Sequence, residues 1–183
     1  FNDKTSSATV ERVWQTPDPV MIQVGNTLEQ SLSRPFALFC EKSGLAVTQH
    51  PEGIALNQQP WSWGARQKWW IKKNADRTYR IENIDSGQVL GLKGESKSQG
   101  TDVVAGPFAD APHQRWKVSQ VGQGRFRFEN VHSGLSLDLR SGSMEAGGNL
   151  IQWPWHDEPN QRWRIVGLLD QAPVEPGPFW TGF

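Results

Sequence analysis

An ionisable carboxylate at Asp138, an indole at Trp153 and a carboxamide at Asn160 lie close together in the sequence, with a second carboxamide, Gln161, beside the first. An indole offers a flat, rigid, largely apolar surface at low conformational cost. An ionised Asp accepts hydrogen bonds from adjacent hydroxyls, while a carboxamide both donates and accepts. A hexose presents the complement of this set, an apolar C–H face and a rim of hydroxyls that donate and accept. Each residue taken singly has a plainer use. Asp138 can cap a turn beside Ser141-Gly142, and Trp153 can cover the rim of a core. Which use applies depends on the elements that carry these residues, and the chain's repetition defines those elements.

Gln67-Lys68-Trp69, Gln114-Arg115-Trp116 and Gln161-Arg162-Trp163 are three copies of one Gln-basic-Trp step, spaced evenly along the chain. The same offset aligns Tyr79-Arg80-Ile81-Glu82-Asn83 with Phe126-Arg127-Phe128-Glu129-Asn130, Ser86-Gly87 with Ser133-Gly134, Gly100 with Gly147, and Pro107-Phe108 with Pro154-Trp155. Pro60-Trp61 joins the last of these sets, and Ser43-Gly44 joins the Ser-Gly set through a first copy that is slightly shorter inside. Within each copy, Trp116-Lys117-Val118, Trp163-Arg164-Ile165 and Phe126-Arg127-Phe128 alternate apolar and basic residues, the period of a strand with one buried face. Lys73-Asn74-Ala75-Asp76, Gly122-Gln123-Gly124 and the Ser-Gly pairs punctuate these strands. A unit of roughly 47 residues has room for about four short strands and needs its neighbours to close a core. Propellers typically want four or more blades, and a three-unit open solenoid leaves edges exposed. The expected fold is therefore an all-β β-trefoil of about twelve strands on a pseudo-threefold axis. It should span residues 33–168, between an N-terminal extension, 1–32, and a Pro/Gly/aromatic tail, 169–183.

Repetition separates scaffold from site without any homologue. Trp69, Trp116 and Trp163 recur in every copy and are expected in the core, and Trp61, Phe108 and Trp155 are expected to pack. Gln67, Gln114 and Gln161 are expected to hydrogen-bond loop backbone. The carboxylate, indole and amide coincide in the third copy alone. Asp138 corresponds to Gly91 and Thr48, Trp153 to Gly106 and Gln59, and Asn160 to His113 and Arg66. The first two pockets should then be lost or altered, with Trp63, Asp110 and His113 free to build something different there.

Gln-x-Trp in three registered repeats, each preceded by a Ser-Gly turn and a short aliphatic strand, resembles the ricin-B-type lectin family. That resemblance implies a β-trefoil that binds galactose or N-acetylgalactosamine. It also implies a sugar site at Asp138, Trp153, Asn160 and Gln161, which match the family's Asp, its aromatic in the Trp-Pro step, and its Asn-Gln before the last Trp.

Other functions lose support. With 19 Lys+Arg against 19 Asp+Glu, nothing in the net charge favours nucleic acid or an anionic membrane. No apolar run approaches the length of a membrane helix, so a soluble chain without membrane insertion is expected. Cys40, the one cysteine, excludes an internal disulfide and a cysteine-built zinc site, and its Phe-Ala-Leu-Phe-Cys context predicts a buried, inert thiol. His50, His113, His132 and His156 show no metal-ligand spacing, and Asp157-Glu158 reads as a solvated loop pair. His-Glu-x-x-His, Gly-x-Ser-x-Gly, P-loop and dinucleotide fingerprints are missing, so neither an enzyme nor a cofactor is expected. The chain begins with Phe1 rather than Met, as a processed or trimmed form would. A secreted or extracellular location is expected, with a cytoplasmic lectin as the alternative. The ends, with Val13-Trp14, Val20-Met21-Ile22 and Phe179-Trp180, are more apolar than a plain linker. They should pack on their own barrel or dock a partner chain. The rival functions are a cell-binding or scaffold subunit of a toxin or other complex, a trefoil protease inhibitor, and a targeting module from a larger glycoside hydrolase.

Overall fold

The computed structural model describes residues 34–168, so the expectations placed on residues 1–32 and on the 169–183 tail lie outside the described residues. The chain forms β1 (Phe36–Cys40), β2 (Ala46–Gln49), β3 (Leu56–Gln59) and β4 (Trp69–Lys73), then β5 (Tyr79–Asn83), β6 (Val89–Leu92), β7 (Val103–Gly106) and β8 (Trp116–Gly122), then β9 (Arg125–Asn130), β10 (Ser136–Leu139), β11 (Leu150–Trp153) and β12 (Trp163–Gly167). β1, β4, β5, β8, β9 and β12 pair antiparallel in a closed ring, which leaves no unpaired edge between them. The hairpins β2–β3, β6–β7 and β10–β11 hang from β1, β5 and β9 and touch one another through single bridges, Ala55 to Val104, Asn57 to Asn149 and Asp102 to Ile151. This is the β-trefoil that the three periods require.

Alternation makes the strands. In β9, Phe126, Phe128 and Asn130 turn inward while Arg125, Arg127 and Glu129 face out. Trp69, Trp116 and Trp163 are fully buried. Their indole N–H groups donate to the Val47, Leu90 and Leu137 carbonyls at 3.1, 3.1 and 3.2 Å, one bond repeated three times. A buried indole needs such an acceptor, and losing one of these side chains costs about 3–5 kcal/mol. The three glutamines also act alike. Each carboxamide oxygen accepts from a loop N–H (Ser62, Ala109, His156), and each amide nitrogen donates to a proline carbonyl (Pro60, Pro107, Pro154). Cys40 is buried, and that burial raises its thiol pKa.

Trp61, Phe108 and Trp155 pack, but on the rim rather than in the core, and Phe108 remains 41% exposed. The outward residues of the ring strands decide this. Arg80 lies over Phe108 at 4.7 Å and Arg127 over Trp155 at 5.0 Å, while in the first repeat Phe39 meets Trp61 edge-on at 5.6 Å.

The shortfall in the first repeat falls in the β2–β3 loop. The β6–β7 and β10–β11 loops each contain a 3-10 turn, Lys93–Glu95 and Arg140–Gly142, and the β2–β3 loop contains none. Gln58 donates to the Ser143 and Glu145 carbonyls, and Gln152 to those of Ser96 and Ser98, so each sutures its hairpin to the longer loop of a neighbouring repeat. The corresponding residue facing the short loop is Ala105, which needs no such acceptor. The deletion and the loss of the glutamine compensate each other.

Candidate functional site

β10 is buried along its whole length, paired with β11 and β9 and with its Leu137 carbonyl against the Trp163 indole. A carboxylate here must find partners, since an unpaired buried charge is costly. Asp138 is 3% exposed and has two. Asn160 Nδ2 donates to Oδ1 at 3.0 Å, and Gln161 Nε2 donates to Oδ2 at 2.8 Å. The Leu139 N–H donates to the Asn160 carbonyl at 3.1 Å, which pins the amide-bearing turn to the strand. Burial pushes the Asp138 carboxyl above the ordinary 3.8. The bonds from Asn160 and Gln161, with the more distant charges of His156 and Lys42, offset part of that rise. Asp138 caps no turn, because the Arg140–Gly142 turn has no side-chain cap.

Register brings the indole alongside. Asp138 pairs with Ile151 and Ser136 with Trp153, so period-2 alternation sets Asp138 and Trp153 on one face of the β10–β11 hairpin as diagonal neighbours. Trp153 is 36% exposed, with one ring edge against Gly100, where a Cβ would lie 3.5 Å from Cζ3. Asp138, Trp153 and Asn160 thus line a single open cleft of about 470 Å³, with Lys42, Arg140 and His156 completing its wall. Gln161 is fully buried and lies behind the cleft, bonded to the Asp138 carboxylate and to the His156 N–H. The carboxylate therefore presents its remaining lone pairs from a fixed position, beside an amide and under an indole.

The equivalent places differ. In the second repeat Gly91 replaces the carboxylate and the His113 ring fills the space, since a Cβ on Gly91 would lie 3.1 Å from His113 Cδ2 and from Gln114 Cγ. Asp110 there pairs with Arg115 at 2.9 Å. In the first repeat an opening of about 620 Å³ persists, lined by Thr48, Gln59, Arg66 and Asp85 among others. Its Thr48 hydroxyl takes the bond from Gln67, and Arg66 pairs with Asp85 at 3.3 Å. Trp63 turns away to rest on Trp61, ring centroids 5.2 Å apart.

Sequence reasoning missed Lys42, Arg140 and His156. Lys42 comes from the first repeat, and the signal available was its place in the Ser-Gly turn equivalent to Asp85 and His132. Among the described residues there is no group of three His, Cys, Asp or Glu side chains able to hold a metal ion, and no helix long and apolar enough to cross a membrane.

The β-trefoil has a known counterpart. The family model for the ricin-type beta-trefoil lectin domain-like proteins matches residues 29–106 and 112–172. The chain belongs to this family. Among curated proteins, none matches the sequence. Of solved structures similar to this ricin-type lectin-like domain, the designed threefold symmetric protein ThreeFoil is 28% identical with a TM-score of 0.71, over 73% of this chain and 99% of its own. A ricin B-like lectin from Macrolepiota procera, solved with lactose, is 21% identical with a TM-score of 0.64, over 74% and 96%. A mosquitocidal holotoxin is 20% identical with a TM-score of 0.68, over 74% of this chain and 17% of that one. The last two likenesses show the shared fold. The ricin-type lectin fold is one associated with carbohydrate binding.

Proposed function

We propose that this domain is a non-catalytic carbohydrate-binding module whose sugar site is the third-repeat cleft, with a galactose-type hexose as ligand. The observation that carries this reading is the placement of Asp138, Trp153 and Asn160 around one cleft, in the one repeat that has all three. The Trp153 ring supplies the stacking surface for the C–H face. Asp138 accepts from ring hydroxyls, and Asn160, whose amide nitrogen is tied to Asp138, keeps its carboxamide oxygen as a further acceptor for them. Gln161 is a positioning residue, holding the carboxylate from behind. A single shallow site of this kind binds free sugar on the order of millimolar, about −4 kcal/mol, and gains useful avidity from a multivalent surface or a tethered partner. A secreted or extracellular location suits such a module. The test is a glycan array with the wild-type chain and the Asp138→Ala and Trp153→Ala variants. Binding to terminal galactosides should be lost in both variants, and unchanged binding would overturn the assignment.

A second reading is a cell-binding or scaffold subunit of a larger complex, favoured by a surface particular to the first repeat. There Phe39, Trp61 and Trp63 cluster, where the later repeats have Glu82 and Glu129 in place of Phe39 and Asp110 and Asp157 in place of Trp63. Trp63 holds this position at φ 61, a left-handed conformation that costs a bulky residue roughly 1–2 kcal/mol. Co-purification of a second chain, lost on trimming residues 170–183, supports this reading, and a monomer that binds glycans unaided counts against it.

A further inference from the structure

The threefold arrangement gives each ligand position a wall from the next repeat, and the residue at the tip of that wall differs in charge and in engagement. At the first opening it is Asp85, paired with Arg66 at 3.3 Å. At the second it is His132, whose Nε2 donates to the Glu95 carbonyl at 3.0 Å. At the third-repeat cleft it is Lys42, from the turn between β1 and β2, held there by its backbone N–H, which donates to the Pro159 carbonyl at 3.2 Å. The Lys42 ammonium makes no hydrogen bond or ion pair among the described residues.

The ammonium rests over Gly142. Gly142 has φ +56, and a Cβ there would lie 2.5 Å from Lys42 Nζ. The corresponding position in the second repeat is Glu95, also left-handed at φ 54, so the backbone shape is common to both and the open space belongs to the third. The other charges around the cleft are already placed. Arg140 donates to Asp102 at 2.7 Å and to the Gly100 carbonyl at 3.1 Å. His156 sits with Nδ1 3.0 Å from the Pro154 carbonyl, and the Asp138 carboxylate is held by two amides. A three-donor cation with no hydrogen-bond partner among the described residues is thus left at the edge of a cleft whose floor carries the Asp138 carboxylate.

We infer that this cleft prefers a galactose-type sugar carrying an anionic substituent, sulfate or carboxylate, and that Lys42 is the residue that reads the charge. The inference rests on the sugar-site reading above and adds the ligand's charge to it. The Lys42 ammonium meets the substituent's oxygens while Asp138 and Asn160 keep the ring hydroxyls, so one ligand satisfies both sets at once.

The experiment measures dissociation constants for a neutral methyl galactoside, its 3-O-, 4-O- and 6-O-sulfated forms, and a sialylated galactoside, at low and high ionic strength. At least one anionic form should bind the wild-type chain about fivefold tighter than the neutral sugar, the scale of an exposed ion pair, and the preference should shrink as salt shortens the Debye length. Lys42→Gln should bring that ratio to about one and Lys42→Arg should retain most of it, while Lys117→Gln, on β8 and outside the cleft, should leave the ratio as it is. The sulfated and sialylated arms distinguish which anion is read. If the neutral sugar binds and no anionic form exceeds it, or if Lys42→Gln keeps the ratio, the charge preference is wrong and the sugar site stands. If the wild-type chain binds none of these sugars, both readings fail together.

Discussion

Gln161 and Gln114 occupy the same place in two repeats, so replacing each with Ala isolates what the site adds to a structural job. Gln114 holds two loop groups, the Ala109 N–H and the Pro107 carbonyl. Gln161 holds the same two, His156 N–H and Pro154 carbonyl, and also Asp138 Oδ2 at 2.8 Å. A buried polar group left without its partner costs about 1–3 kcal/mol. The loop groups lie near solvent and fall at the low end, so Gln114→Ala should destabilise by about 2 kcal/mol. Gln161→Ala adds the loss of a bond to a buried carboxylate, about 1.5–3 kcal/mol for a charged acceptor, giving a total of about 4 kcal/mol. Lost side-chain packing is similar in both and cancels in the difference. Urea unfolding with a shared m-value reads the stabilities. Galactoside titration reads the second consequence, because Asp138 then keeps only Asn160 and binding should fall at least tenfold in Gln161→Ala and stay at the wild-type level in Gln114→Ala. Equal destabilisation in the two variants, or equal sugar binding, would refute the idea that Gln161 positions the carboxylate.

Other expectations follow from the same geometry. Asp138 has a raised folded-state pKa, so its ionised form is the one burial disfavours. Its stabilising contribution is present on the acid side and is lost as pH rises through that pKa, so the stability of the wild-type chain relative to Asp138→Asn should improve as pH falls through a midpoint above 3.8 in paired unfolding curves. Sugar binding runs the opposite way, because the ionised carboxylate is the acceptor, and affinity measured against pH should drop below the same midpoint. Trp163→Ala should cost about 3–5 kcal/mol in denaturant unfolding, whereas Trp153→Ala, on the cleft surface, should cost about 1 kcal/mol or less while removing binding. Gly91→Ala should destabilise by about 1 kcal/mol, since its methyl must displace the His113 ring at 3.1 Å; a neutral result by thermal unfolding would mean that His113 leaves that pocket readily.

Much of the trefoil was legible because each repeat states the same local rule three times. Alternation sets the ring strands, Gln-basic-Trp sets the core indoles with their carbonyl partners, and the shorter first repeat answers to Ala105 where Gln58 and Gln152 would otherwise need acceptors. The candidate site was legible in part for the same reason, since Asp138, Trp153 and Asn160 depart together from that rule. The rim position of Phe108 was less visible, because an aromatic that recurs with the fold looks the same in sequence whether it fills the core or lies under an arginine.

The amino-acid sequence by itself determined the number of repeats, the strand period and the repeat that keeps a carboxylate beside an indole, because these depend on spacing along one segment. The tertiary structure decided that Gln161 stands behind Asp138 and not in the cleft, that His113 fills the space Gly91 leaves, and that Lys42 from the first repeat reaches across Gly142 into the third. Each of these joins segments that meet when β1 pairs with β12 and the ring closes, and in a barrel so closely packed, closure sets which side chain occupies the remaining space.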